Sequence, residues 1–350
     1  MKRLSAATMA AAVLGVASPS AAQTAADGLA AMQTRLAASE GYSGVFGVSR
    51  AGDFVVGTAG DHRAGETWRW ASVTKMITAI LALQQVDDGR LALDAPLATY
   101  LPDFPVNPDR ITIRQLLTHT SGLANPDATP DADGDGMIDV YQRAGDWRAV
   151  CQGAPAAEPG AGFSYNNCDY LVLGDVLEAV SGQSYDQLIQ TRLVEPLGLS
   201  PVAIPAGPRS EAMADGRPEP AIDPAAFGPG GGLYGTTEDL LKIDAALMEG
   251  ALMSDASRTE MWKGDPASGF AALSVWSYSP NLGGCIGQTR LVERYGEIGG
   301  VQVRNFLLPD LGVALSVYSN DGVTTFGEVW QGQGLSIDLI RAAACGAPAG

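Results

Sequence analysis

Ser72-Val73-Thr74-Lys75 stands just before the apolar run Met76-Ile77-Thr78-Ala79-Ile80-Leu81. On a helix, residues three apart lie on one face and their side chains meet. A lysine held in a dry pocket can lose its proton, because burial disfavours the ammonium. It can then accept the proton of the serine hydroxyl, which makes the pair a candidate activated nucleophile. The chain has only four lysines, Lys2, Lys75, Lys242 and Lys263, and only Lys75 follows a serine at this spacing. Downstream, PGAGFSYNNCDYLVLG holds Tyr165-Asn166-Asn167, a Y-x-N. A tyrosine whose phenolate is stabilised by a nearby lysine can act as base or proton relay. An asparagine there can hold a substrate carbonyl and the lysine together. The same stretch also reads as S-x-N, Ser164-Tyr165-Asn166, and the register stays open. A second Y-x-N, Tyr318-Ser319-Asn320, ends an expected strand.

The only histidines are His62 and His119, and no G-x-S-x-G elbow occurs, so an α/β-hydrolase triad is disfavoured. His119 lies in LLTHTSGL.

Around these residues the pattern alternates between strand and helix. Residues 27–40 read as helical, and residues 41–61 as a β-hairpin. A helix should run from about Ser72 to Gln85. ITIRQLLTHTSGL reads as one helix ending near Ser121-Gly122. Residues 124–163 and 201–230 read as loop. CDYLVLGDVLEAVSG and SYDQLIQTRLVEPLGL have helical spacing, and GTTEDLLKIDAALMEG has a capped start. FAALSVWSYS, CIGQTRLVERYG, VQVRNFLLPD and GVALSVYSN read as strands, and a last helix closes near Cys345. The expected fold is therefore α+β. One antiparallel sheet is built from both chain ends and flanked by helices, with a mostly helical subdomain inserted at about 85–265. The domain should span 27–345.

Residues 1–22 combine Lys2 and Arg3, an Ala-rich apolar stretch and Ser20-Ala21-Ala22, the pattern of a cleaved signal peptide. The apolar stretch is short for a bilayer span, and no stable membrane insertion is expected. The destination would be periplasmic or secreted. Removing Lys2 and Arg3 takes the net charge from −17 to −19. Such a surface repels nucleic acid and anionic lipid but says little about substrate. The partner expected, from the candidate nucleophile, is a small-molecule or peptide substrate, met by a monomer. Four cysteines in an exported chain suggest two disulfides. Closing local loops favours Cys151–Cys168 and Cys285–Cys345.

The string from Asp131 to Asp139, DADGDGMID, matches the first nine positions of a calcium loop, with Asp131, Asp133, Asp135 and Asp139 as side-chain ligands. Position twelve is Gln142 rather than Glu. The loop from Asp131 to Gln142 reads either as a structural calcium site or as a solvated acidic loop, and no cofactor or metal is expected in catalysis.

WASVTKMITA, ITIRQLLTHTSGL, PGAGFSYNNCDYLVLG and GPGGGLYGTTEDLLKI occur in that order. Together, across roughly residues 40 to 320, they resemble the serine β-lactamase-like superfamily. The branch is that of class C β-lactamases, D-Ala-D-Ala carboxypeptidases, D-aminopeptidases and related esterases. The resemblance implies that Ser72 is acylated, Lys75 is its base partner, Tyr165 shuttles protons and Asn167 orients substrate. The family completes its oxyanion hole with an N–H just after a strand motif, K-T-G or H-x-G. Tyr295-Gly296-Glu297-Ile298-Gly299-Gly300 is taken as that string, with Gly299 in the motif and Gly300 as the donor. Glu297 then stands where the family has Lys or His, facing substrate or pairing with Lys75. A glutamate there would repel the carboxylate of β-lactams and D-Ala-D-Ala peptides. The expected activity is therefore hydrolysis of a neutral ester, or of an amide without a carboxylate at the reacting end. The alternatives are a β-lactamase or carboxypeptidase, and a non-catalytic penicillin-recognising sensor.

Overall fold

The computed structural model describes residues 23–346 apart from 40, 144 and 215, so the leader assigned to 1–22 lies outside the described residues. The strands are β1 (Gly44–Arg50), β2 (Asp53–Ala59), β3 (Thr67–Arg69), β4 (Met213–Ala214), β5 (Arg217–Pro218), β6 (Tyr234–Thr236), β7 (Trp276–Tyr278), β8 (Leu291–Ile298), β9 (Val301–Leu308) and β10 (Val313–Ser319). Six of them form one sheet in the order β2-β1-β10-β9-β8-β7. Every neighbouring pair is antiparallel. The sheet thus joins both ends of the chain, as the sequence pattern implies. β9 and β10 are buried along their whole length. That is why VQVRNFLL and VALSVYS lack a clean polar face.

Helices Ala25–Ala37 and Leu335–Cys345 pack together over one face of the sheet, around Phe46, Phe306 and Leu315. Helix Thr237–Glu249 covers the other face. Gly47 permits its approach, since a Cβ there would lie 2.7 Å from Leu241 Cδ1. Beyond it lies the larger core, centred on helix Thr74–Asp87, whose residues Thr74–Gln85 are all buried. A helix apolar all round is expected to sit inside a core.

Several boundaries differ from the sequence reading. In ITIRQLLTHTSGL only Ile113–Leu117 is helical, because His119 adopts φ +55° and turns the chain. FAALSVWSYS contributes only Trp276–Tyr278 as strand; Phe270 and Ser274, both at positive φ, bend what precedes it. SYDQLIQTRLVEPLGL is interrupted by a wider π turn at Gln190–Val194. The stretch 201–230, read as loop, contains β4, β5 and most of a helix, Pro224–Gly231, kinked at Gly228.

Both disulfides form as expected from loop closure, Cys151–Cys168 and Cys285–Cys345, with sequence separations of 17 and 60. The first ties helix Trp147–Cys151 to the helix that begins at Asn167. The second ties the last helix to the segment before β8. Loop-closure entropy predicts losses of about 3 kcal/mol for the double variant Cys151→Ala/Cys168→Ala and about 4 kcal/mol for Cys285→Ala/Cys345→Ala. Urea unfolding of the two variants measures both.

Candidate active site

Ser72 lies in a single tight turn, Ala71–Val73, that leads into helix Thr74–Asp87. Ala71 is held at φ +46°, in the left-handed region that alanine rarely occupies. The turn leaves Ser72 partly exposed and Lys75, one turn on, fully buried. Lys75 Nζ lies 3.3 Å from Ser72 Oγ, 2.6 Å from Asn167 Oδ1 and 2.6 Å from the Gly230 carbonyl oxygen. Tyr165 places its hydroxyl 2.6 Å from Ser72 Oγ, and its ring centroid is 4.8 Å from Lys75 Nζ.

The geometry decides the open register. Asn166 caps the helix that starts at Asn167, accepting the Cys168 N–H at 2.7 Å and donating to the Leu123 carbonyl. Asn167 is the residue that meets Lys75, so the Y-x-N reading is the one formed. Both ends of its amide are engaged, because Nδ2 donates to Asp127 and to Tyr141 Oη. Asn167 therefore holds Lys75 through Oδ1, and its Nδ2 is committed to Asp127 and Tyr141.

Burial lowers the pKa of Lys75, and the Arg294 charge lowers it further; the neighbouring Tyr165 only partly opposes this. Burial by itself would raise the pKa of Tyr165. The positive charges of Lys75 and Arg294, with hydrogen bonds from Lys75 and Ser72, outweigh it and leave the phenol more acidic than usual. The two groups titrate as a pair. With Lys75 charged, Tyr165 is the phenolate beside Ser72. With Lys75 neutral, its two N–H bonds satisfy Asn167 and Gly230, and its lone pair faces Ser72. Each singly protonated state thus leaves one base on the serine hydroxyl.

Arg294 is a site residue that the sequence reading did not single out. Its Nε donates to the Ser72 carbonyl at 2.8 Å and its Nη2 to Tyr165 Oη at 3.2 Å. The missed signal is Arg294-Tyr295-Gly296, which has the cation-x-Gly form of the K-T-G motif with arginine for lysine. Gly296 sits where a Cβ would come within 2.5 Å of Ser72 N. The motif therefore lies three residues earlier than the sequence reading placed it.

That shift corrects three assignments. Gly300 does not face Ser72; its N–H donates to buried Glu219 at 3.0 Å. Gly299, at φ +58°, begins the β8–β9 turn and abuts the same carboxylate. Glu297 is exposed and makes no pair with Lys75, whose donors are already engaged. The backbone of Glu297 matters instead. Ile298 and Val301 close a two-residue hairpin turn, so the next pair, Glu297 and Gln302, is the non-bonded kind in an antiparallel ladder. The Glu297 N–H then points to the outer edge of β8. β7 pairs only with Leu291–Glu293, so that edge is free of a neighbouring strand and borders the Ser72 turn.

A buried clamp holds this hairpin. Arg69 makes a bidentate pair with Glu219, at 2.8 and 3.2 Å, and donates to the Ile298 carbonyl at 2.8 Å. Glu219 also accepts the N–H groups of Gly300 and Glu211. His119 is buried under the site, its ring centroid 4.6 Å from that of Tyr165 and its Nδ1 3.0 Å from Asp169 Oδ2. His62 binds Glu66, away from Ser72. In the acidic loop, Asp131, Asp133 and Asp139 converge. Asp135 instead receives the Gln142 amide, and Asp131 accepts backbone N–H groups of its own loop.

The beta-lactamase family profile matches residues 29–333. Penicillin-binding protein 4 of Amycolatopsis lactamdurans is 30% identical over 282 residues, covering 73% of this chain and 72% of the relative. Esterase EstB of Burkholderia gladioli is 30% identical over 233 residues, 53% of this chain and 58% of the esterase. A D-stereospecific amidohydrolase from a Streptomyces species shares the fold, with a TM-score of 0.74 at 24% identity over 93% of this chain and 100% of that one.

Removing one partner of the clamp leaves a buried charge uncompensated. Glu219→Ala should lower stability by about 3–5 kcal/mol in denaturant unfolding. At temperatures where the variant is still folded, it should also slow reaction with a fluorophosphonate, because the Glu297 N–H is no longer held.

Proposed function

The chain belongs to the beta-lactamase family of serine hydrolases, and on that premise we propose that it cleaves an ester or amide through an acyl-enzyme on Ser72. The observation that carries this is the placement of Ser72 Oγ, 2.6 Å from Tyr165 Oη and 3.3 Å from Lys75 Nζ. Ser72 attacks the substrate carbonyl and gives its proton to the Lys75–Tyr165 pair. The N–H groups of Ser72 and Glu297 receive the oxyanion. Tyr165 returns the proton to the leaving alcohol or amine. Water then attacks the acyl carbonyl and loses its proton to the same pair, freeing Ser72.

The favoured substrate is a neutral ester, or an amide lacking a carboxylate at the reacting end. Arg294 is only 1% exposed and uses its Nε and Nη2 on Ser72 and Tyr165, whereas Glu297 presents an exposed carboxylate on the open edge of β8. A second reading, hydrolysis of a β-lactam or D-Ala-D-Ala peptide, is favoured by one observation, the Arg294 guanidinium next to the serine. The two disulfides suit an oxidising compartment, and no helix among the described residues is long and apolar enough to cross a membrane. We place the protein outside the cytoplasm on that basis.

Intact-mass spectrometry after a fluorophosphonate should show one adduct on Ser72 and none in Ser72→Ala; full hydrolytic activity in Ser72→Ala refutes the acyl-enzyme. Lys75→Arg should be nearly as damaging, since arginine cannot give up its proton.

Activity should fall toward acid as the pair takes its second proton and loses its base. The Arg294 charge lowers both pKa values, so Arg294→Met should move the acid limb of kcat/KM to higher pH.

For the choice of substrate, Glu297→Lys should raise nitrocefin turnover relative to a short-chain p-nitrophenyl ester by about tenfold, the weight of one nearby charge. An unchanged ratio, with efficient nitrocefin hydrolysis by the wild type, favours the second reading.

A further inference from the structure

On the face of β8 turned away from helix Thr74–Asp87 lies a pocket of about 460 Å³. Phe270, Trp276, Tyr278 and Trp330 supply its rings, and Glu293 and Glu328 supply two carboxylates. Phe270 is 42% exposed and Trp330 70% exposed, a large apolar display for an open surface. Glu293 is the opposite, only 5% exposed. Tyr278 donates to Glu293 Oε1 at 2.8 Å. Oε2 has no hydrogen-bond donor among the described residues, and Glu328 has no ion-pair partner among them. Of the nearby cations, Arg304 makes no ion pair with either acid but lends Glu293 part of its charge, and its Nη1 has no hydrogen-bond partner among the described residues. Arg304 stacks over Tyr295, 4.9 Å from its centroid, and Arg294 stacks over Trp276 at 5.2 Å while binding Ser72 and Tyr165.

A buried carboxylate with a bare oxygen, a second acid and a ring of aromatic faces share one complement. A compact organic cation binds ring faces through the quadrupole and carboxylates through charge, and an N–H of that cation satisfies Oε2. A neutral apolar guest would leave two acids facing only the partial offset of Arg304 and would satisfy neither, and an anion would be repelled by the pair. We infer that this pocket binds a primary alkyl- or arylalkylammonium group, with Glu293 as its hydrogen-bonded counter-ion and Trp330 and Phe270 closing over its hydrocarbon part. The inference does not depend on the hydrolytic reading, since binding can be measured in a protein that cannot be acylated. The Trp276 ring, stacked on Tyr295 at 5.2 Å, is shared between the pocket and Arg294, so an occupant here adjoins the catalytic arginine.

The charge of Glu293 makes the site pH-dependent. Burial raises its carboxyl to about 7, with Glu328 adding to the rise; the Tyr278 hydroxyl and the Arg304 charge from β9 oppose it. The cation needs the carboxylate. Affinity should therefore be full above neutrality and fall toward about tenfold per pH unit on the acid side.

The test uses Ser72→Ala protein, titrated with benzylammonium chloride and, separately, with benzyl alcohol, its neutral near-isostere. Calorimetry and tryptophan fluorescence give the two affinities at about pH 6 and pH 8, on either side of the raised carboxyl. The expected result is saturable binding of benzylammonium, at least about tenfold tighter than benzyl alcohol on the alkaline side and weaker on the acid side. Glu293→Gln should remove both the preference and the pH dependence. Should that buried variant not fold, Glu328→Gln and Trp330→Ala, both at the pocket mouth, should each weaken benzylammonium several-fold. Equal affinity for the two probes, no saturation by benzylammonium, or unchanged affinity in folded variants overturns the assignment. Loss of hydrolysis in Ser72→Ala has no bearing on it, so the failure of one reading is distinguishable from the failure of the other.

Discussion

A lysine with no exposed surface is the constraint around which the site is organised. An ammonium removed from water is costly unless every proton finds an acceptor, and a neutral amine there must still place two donors. Three acceptors surround Lys75 Nζ, and they come from three separated parts of the chain: Ser72, Asn167 and Gly230. The same shell therefore serves structure and chemistry. It holds the nitrogen against the serine, and it is satisfied whether the pair's proton sits on lysine or on tyrosine. The helix behind Lys75 is buried all round, which keeps water from relaxing the arrangement.

The second requirement is a strand edge held at contact distance from the nucleophile turn. Gly296 allows that approach, since any Cβ would press on Ser72 N. The edge is kept in place from behind. Arg69 and Glu219 grip the β8–β9 turn through a carbonyl and an N–H of its backbone; Gly299 is small enough to sit against that pair, and Gly300 against the Met213 backbone. A buried ion pair contributes little net stability, but it is intolerant of displacement. Here that intolerance sets the register of the edge relative to Ser72. The positive φ of Ala71 belongs to the same arrangement, a strained turn held by the packing around it.

Arg294 links the two halves. It bonds the carbonyl of the nucleophile itself, lowers the pKa of its base partners and stacks on an aromatic ring outside the site. A lysine in this place would supply charge and rotatable donors but no planar stacking face. The planar guanidinium supplies charge, two directed donors and a stacking face at once.

Much of this is legible in the chain itself. Local spacing determines that Ser72 and Lys75 share a helix face, and the ordered motifs determine the fold. Strands at both ends point to one antiparallel sheet, and loop-closure entropy points to the two disulfide pairings. These are properties of short segments or of their order, so a linear reading reaches them. Tertiary structure alone decides which asparagine meets Lys75, because Asn166 and Asn167 are chemically alike and differ only in the direction a helix cap gives them. It alone decides that Arg294-Tyr295-Gly296 rather than the stretch ending at Gly300 faces the serine. The two candidates lie three residues apart on one hairpin. Only the buried Arg69–Glu219 pair, contributed by segments far off in sequence, fixes how far that hairpin reaches past Ser72.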